Sequence, residues 1–283
     1  MNATAVEDAS RPADGVPFVK GHGTENDFVL LPDPDGTLVV TPGQVRALCD
    51  RHAGLGADGV IRVAPAVPGG GAGFVMDYRN ADGSLAEMCG NGARLFARYL
   101  VDAGWAPAGQ VVFETRGGIR IADVPAAGDV TIEMGPARLG GRSSTKVGEH
   151  EIAGVAVDVG NPHLVCLTDV ELSTLNLCTQ PGYDAAVFPE GVNIEFVTVL
   201  GPDRVAMRVH ERGVGETRSC GTGTVAVAAA YLASTGRSTG TVAVGVPGGA
   251  VSVTVSADDS TLTGPAVVVA AGTIDQGFWE RHQ

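Results

Sequence analysis

The chain has 283 residues, enough for about two domains of ordinary size, and 44% of them are apolar, enough for real cores. Only 5% are aromatic, so those cores are expected to be aliphatic and alanine-rich, and 41 glycines with 16 prolines predict short strands and tight turns. A net charge of −13 argues against nucleic acid or an anionic membrane surface as a partner, since both require basic surface. No stretch reaches the roughly 20 apolar residues of a membrane span. The acidic opening MNATAVEDASRPADG lacks the basic and apolar regions of a secretory signal. Residues 1–15 are therefore expected to be a disordered tail, and the protein to be cytoplasmic.

In chain order, PFVKGHGTENDFVLL reads as a strand, a bend at GHGTEND and a second strand. Thr41 and Pro42 suit the N-cap and first turn of a helix over TPGQVRALCDRH. GVIRVAP and GFVMDYRN read as strands, the second ending in the turn Asn-Ala-Asp-Gly. CGNG at 89–92 then leads into a helix, ARLFARYLVDAG. QVVFETRGGIRIADV and DVTIEMG follow as paired strands. HEIAGVAVDVGNPHLVCL is strand, turn and strand, and GVNIEFVTVLGPDRVAMRVHERG is a strand pair joined at GPDR. CGTG at 220–223 leads into a second helix, TVAVAAAYLASTG, and TVAVGVPGGAVSVTVS and VVVAAGTI supply late strands. Strands, helix, strands, twice over, predict an α+β fold of two similar halves, each wrapping sheet around a central helix, divided near TRGG at 115–118.

The five cysteines, at 49, 89, 166, 178 and 220, form no C-x-x-C pair and no cysteine–histidine cluster of zinc spacing, so no metal is expected. Cys49, Cys166 and Cys178 lie in apolar or leucine-flanked segments and read as small buried side chains. The only lysines are Lys20 and Lys146, neither beside a phosphate-cradling loop, and no nucleotide-binding glycine motif follows a strand. No cofactor is expected.

The two C-G-x-G stretches carry the chemistry. A helix N-terminus offers unpaired N–H groups and partial positive charge, and so holds a carboxylate. A thiol there is expected to ionise more readily than usual. Two such mouths in matching halves suggest one site between them with a sulfur on each side. That arrangement suits inversion of a stereocentre without a cofactor: one sulfur removes a proton from one face and the other delivers a proton to the opposite face. The helix N–H groups would stabilise the charge that develops on the carboxylate.

GHGTENDF (21–28), YRNADGSLAEMCGNGARLFARYL (78–100), GNPHLV (160–165), GVNIEF (191–196) and ERGVGETRSCGTG (211–223) together resemble the diaminopimelate epimerase family over nearly the whole chain after the tail. The resemblance implies the epimerase-like fold of two pseudo-symmetric domains, each a mixed sheet or barrel around a central helix, over 16–118 with a returning segment 266–283, and over 119–265. It implies a homodimeric isomerase that converts LL-diaminopimelate to the meso form, toward lysine and peptidoglycan precursors. A racemase of another amino acid with the same two-thiol mechanism is the alternative. By likeness Cys89 and Cys220 are the catalytic pair, and His163 and Glu211 tune them. Gly90, Asn91, Gly221 and Thr222 would hold the reacting carboxylate. Asn26, Asn80, Asn161, Asn193, Glu211 and Arg212 would hold the rest of the substrate. Taken singly, Asn26, Asn80 and Asn161 also suit plain turn formation. One departure stands out. Some family members place a substrate-contacting glutamine after the aspartate of the G-x-G-x-D block, and this chain has Gly59 there.

Overall fold

The computed structural model describes residues 15–283, so the expected tail lies outside the described residues except for Gly15, which opens the first strand. In chain order, β1 (Gly15–Gly23) and β2 (Asn26–Pro32) form a hairpin. Helix α1 (Pro42–Cys49) follows, with Thr41 and Gln44 completing a reciprocal cap at its start. Next come β3 (Gly59–Pro65), β4 (Phe74–Asn80), helix α2 (Gly90–Asp102), β5 (Gly109–Thr115), β6 (Gly118–Val124) and β7 (Val130–Glu133). The chain continues through β8 (Arg138–Val147), β9 (His150–Asp158), β10 (Pro162–Leu167), the short β11 (Gly182–Tyr183), β12 (Asn193–Gly201), β13 (Arg204–Glu211) and β14 (Gly215–Thr217). Helix α3 (Gly221–Ser234), β15 (Gly240–Val246), β16 (Gly249–Val255), β17 (Ser260–Gly264), β18 (Val267–Asp275) and helix α4 (Gln276–Arg281) complete it.

The pairing pattern repeats. In one half β18, β1 and β2 pair antiparallel, β2 runs parallel to β3, β3 antiparallel to β4, β4 parallel to β5, and β5, β6 and β7 pair antiparallel. In the other, β8, β9, β10, β12, β13, β15, β16 and β17 show the same succession, with parallel pairs β10–β12 and β13–β15. The last strands of the two series, β7 and β17, pair with each other and join the halves. TRGG at 115–118, where the sequence suggested a division, is the turn of the β5–β6 hairpin.

Each central helix is the crossover of a parallel strand pair, α2 between β4 and β5 and α3 between β13 and β15. A parallel pair requires such a crossover. Leu95, Phe96 and Leu100 of α2 are fully buried, and α3 buries almost every side chain from Thr224 to Leu232, as its run of valine and alanine requires. Both helices contribute to one core cluster, and their N-termini meet where the halves join.

Two smaller features differ from the sequence reading. Cys49 and Cys166 are buried as expected, but Cys178 is exposed. It follows the short segment Leu175–Leu177, whose leucines at 175 and 177 turn inward and leave it facing out. The strand RLGGRSSTKV was not legible at all, because its first five residues are exposed and carry no alternation of burial.

Candidate active site

Cys89 and Cys220 are the N-cap residues of α2 and α3, both with extended backbone, and neither side chain caps its own helix. The first N–H groups of each helix nonetheless point at its sulfur, those of Gly92 and Asn91 at Cys89 and that of Gly223 at Cys220. The mouths touch: a Cβ on Gly221 would lie 3.1 Å from the Cα of Gly90 and 3.3 Å from its nitrogen.

Around the first mouth, the Cys89 thiol reaches Asn26 Oδ1 at 3.4 Å. Asn91 Nδ2 donates to the same oxygen at 3.2 Å and to the Ser219 carbonyl of the other half at 3.1 Å. Asp58 accepts from Asn26 Nδ2 at 2.7 Å and so orients the amide. Arg94, one turn along α2 and wholly buried, donates to Asn91 Oδ1 at 3.0 Å and to Thr24 Oγ1 at 3.2 Å, with no carboxylate among its hydrogen-bond partners in the described residues. Sequence reasoning missed Arg94; its only signal was a charge on the apolar side of an amphipathic helix.

Around the second mouth, Thr222 Oγ1 is 3.6 Å from the Cys220 sulfur and accepts from Asn161 Nδ2 at 3.4 Å. Asn161 Oδ1 faces His163 Nε2 at 3.0 Å, and His163 Nδ1 lies 2.6 Å from Glu195 Oε1. Glu211 is hydrogen-bonded by Thr217 and by the Cys220 thiol. Asn193 Oδ1 holds the backbone N–H of Arg212 at 2.9 Å, and the Arg212 guanidinium reaches the Glu190 carbonyl at 3.0 Å. Asn80 is tied to Tyr78 and Ser84 and to no other residue of the site.

The thiols do not ionise more readily than usual, contrary to the sequence reading. Burial pushes Cys89 up to about 11, against hydrogen bonds from the Gly92 and Asn91 N–H groups and the nearby Arg94 charge. Burial also pushes Cys220 well above the ordinary thiol, and the neighbouring Glu211 and Glu195 carboxylates push it further. Desolvation outweighs the helix mouths here. Burial likewise raises the Glu211 carboxyl, and hydrogen bonds from Thr217 and Cys220 offset this only in part.

The fold and the paired mouths place the chain first in a structural class. It superposes on a Bacillus anthracis phenazine biosynthesis protein of the PhzF family with a TM-score of 0.69 at 15% identity, covering 93% of this chain and 99% of that one. It superposes on a hydroxyproline epimerase from Agrobacterium vitis with a TM-score of 0.67 at 16% identity, covering 95% and 96%. Identities this low establish the shared fold alone.

Sequence narrows the class. The family described as diaminopimelate epimerase matches residues 18–140 and 155–269. Curated diaminopimelate epimerases from Rhodococcus jostii and Mycolicibacterium smegmatis are each 50% identical to this chain, covering 93% of it and 98% of their own lengths. The chain belongs to the diaminopimelate epimerase family.

Proposed function

We propose that the protein epimerises LL-diaminopimelate to meso-diaminopimelate with Cys89 and Cys220 as its acid–base pair, in the biosynthesis of lysine and peptidoglycan precursors. The observation that carries this reading is the contact of the two helix mouths, each capped by a cysteine. An α-carboxylate lodged between them meets N–H groups from both sides, and the α-carbon then lies between two sulfurs. In one direction a thiolate removes the α-proton while the opposite thiol gives up its own, so that each turnover exchanges the roles of the sulfurs. Charge that builds on the carboxylate oxygens is met by the N–H groups of Gly90, Asn91, Gly221 and Thr222. The raised thiols serve the chemistry: the higher the thiol pKa, the stronger the thiolate as a base toward a weakly acidic C–H. Arg94 lies near Cys89, whereas Glu211 and Glu195 both raise Cys220, so the two sulfurs sit in different electrostatic surroundings.

Glu211 and Arg212 are suited to an ammonium and a carboxylate of a substrate that carries one of each at both ends, with Asn26, Asn80, Asn161 and Asn193 supplying amide donors and acceptors. His163 acts on Cys220 through Asn161 and Thr222. The same reading carries homodimer assembly and a cytoplasmic location. The test is incubation of the reduced protein with LL-diaminopimelate in D2O, following α-deuterium uptake and the meso isomer, with proline, histidine and glutamate in parallel. Uptake and inversion with diaminopimelate alone are expected. Inversion of another amino acid instead would overturn the substrate, and exchange with none would overturn the activity.

A further inference from the structure

The strand registers define which residues are equivalent in the two halves. Phe28 pairs with Gly59 across β2–β3 as His163 pairs with Asn193 across β10–β12. Ile61 therefore corresponds to Glu195. The helix mouths correspond too, Cys89 with Cys220 and Gly92 with Gly223. In the first half a Cβ on Gly92 would meet the Ile61 side chain at 3.0 Å, with Phe28 behind it at 3.4 Å. In the second half a Cβ on Gly223 would meet Glu195 Oε1 at 2.8 Å and the Cys220 sulfur at 3.4 Å. One helix mouth is thus backed by hydrocarbon, Phe28 and Ile61, and the other by a polar pair, His163 and Glu195. All four are fully buried.

A fold that packs well with Phe and Ile at these places does not need a buried carboxylate and imidazole there. Burying such a pair costs solvation, and apolar residues of similar volume are often as stabilising or more so. Among the described residues Glu195 gains only the bond to His163; its other oxygen, Oε2, is buried with no hydrogen-bond partner among them. Glu195 begins a continuous series of contacts, through His163, Asn161 and Thr222, that ends on the Cys220 sulfur.

We infer that Glu195 is a positioning residue for the second thiol: it anchors His163, and through Asn161 and Thr222 sets the hydrogen bonding and local charge of Cys220, so that the two sulfurs are chemically distinct. The inference rests on the reading of Cys220 as half of the acid–base pair. Hence the parent enzyme and Cys220→Ala are assayed first. If the parent does not epimerise, or if Cys220→Ala still does, that reading fails before Glu195 is in question.

Two variants then test the inference. Glu195→Gln keeps the shape and an acceptor for His163 but removes the charge. Its kcat is expected to fall about tenfold or more, with KM changed less than about threefold, as for loss of a group that supports acid–base catalysis without binding substrate. Iodoacetamide alkylation mapped by peptide at pH 7 is expected to speed up about threefold or more at Cys220 and to stay the same at Cys89, because only Cys220 loses a facing negative charge. The double variant His163→Phe with Glu195→Ile copies the first half. It is expected to melt at or above the parent temperature while kcat falls about 100-fold or more. Glu195→Gln with turnover within about twofold of the parent and unchanged Cys220 alkylation would overturn the inference. So would a double variant that keeps its turnover, which decides the matter even if Glu195→Gln does not fold.

Discussion

Gly90 and Gly221 occupy equivalent places in the two halves and face each other across the junction, with 3.1 Å between the Gly90 Cα and the place a Cβ on Gly221 would take. That separation is tighter than side-chain packing normally allows, and the Gly90 Cα and nitrogen that the Cβ would meet are backbone atoms that cannot swing away. Gly221→Ala must therefore push the mouths apart by a few tenths of an ångström. Displacements on this scale at a reacting centre cost far more in rate than in stability. The expected outcome is a fall in kcat/KM of about 10- to 100-fold with a melting temperature lowered by only a few degrees. Steady-state kinetics and a thermal scan of the same preparation check it.

The two cysteines make a complementary prediction. With either sulfur replaced by alanine, one face of the α-carbon has no proton donor or acceptor, and net epimerisation should fall by at least about 10²-fold. A single alanine variant with near-normal turnover would refute the two-base mechanism. The pH dependence follows from the raised thiols. The active free enzyme needs one sulfur ionised, and burial raises both, Cys89 up to about 11. kcat/KM should then climb about tenfold per pH unit above neutrality and level off only as that value is approached. A profile already flat between pH 7 and 8 would place the ionisation elsewhere.

Behind Asn26 lies a charged support. Asp27 accepts from Lys20 at 2.5 Å and from Arg51 at 2.8 Å, and Arg51 also reaches Asp58, the residue that orients Asn26. Burial alone would raise the Asp27 carboxyl, but hydrogen bonds from Arg51 and Lys20 with their charges outweigh it and bring it down from 3.8 to about 2. A depressed carboxylate contributes stability above its unfolded value and loses it as pH falls toward the folded one. The contribution is on the order of 2 kcal/mol at neutral pH. Asp27→Asn should thus melt several degrees below the parent at pH 7, and the gap should narrow between about pH 4 and pH 2. A gap independent of pH would mean that the ion pairs are not its source.

How much of this was legible in the sequence depends on whether the signal was local. The capped start of α1, the helices after CGNG and CGTG, and the hairpins at GPDR and TRGG are written in neighbouring residues, and each forms where the sequence placed it. The duplication was legible in layout, and within the mouths even in spacing, since Asn80 and Cys89 stand 131 residues before Glu211 and Cys220. Pairings between distant strands were not. The β7–β17 junction, and the equivalence of Ile61 with Glu195, depend on registers that no short stretch encodes. The behaviour of the thiols was misread for a similar reason. The helix mouth is a local feature, whereas the burial that overrides it is assembled from both halves. Glu195 did leave one trace, a carboxylate inside the otherwise apolar run IEFV.

The departure at Gly59 has a structural counterpart in Tyr78. A Cβ at position 59 would lie 2.5 Å from the Arg79 carbonyl oxygen and 2.7 Å from the Tyr78 ring, so the strand pair β3–β4 closes over the space that a side chain there would use. Restoring glutamine should therefore fail as a route to an extra substrate contact. Gly59→Gln is expected to cost about 2 kcal/mol or more through backbone displacement, read as a melting temperature several degrees lower. Tyr78 also fixes Asn80, whose Oδ1 accepts from its hydroxyl at 2.9 Å. With Tyr78→Phe the ring still fills the space, but the Asn80 side chain keeps only its bond to Ser84 and its Oδ1 is released. If Asn80 binds substrate without taking part in proton transfer, KM should rise about three- to tenfold while kcat stays within about twofold. If instead Asn80 serves only the turn it begins, Tyr78→Phe should leave both constants unchanged, and the measurement separates the two roles because a turn residue has no reason to move KM.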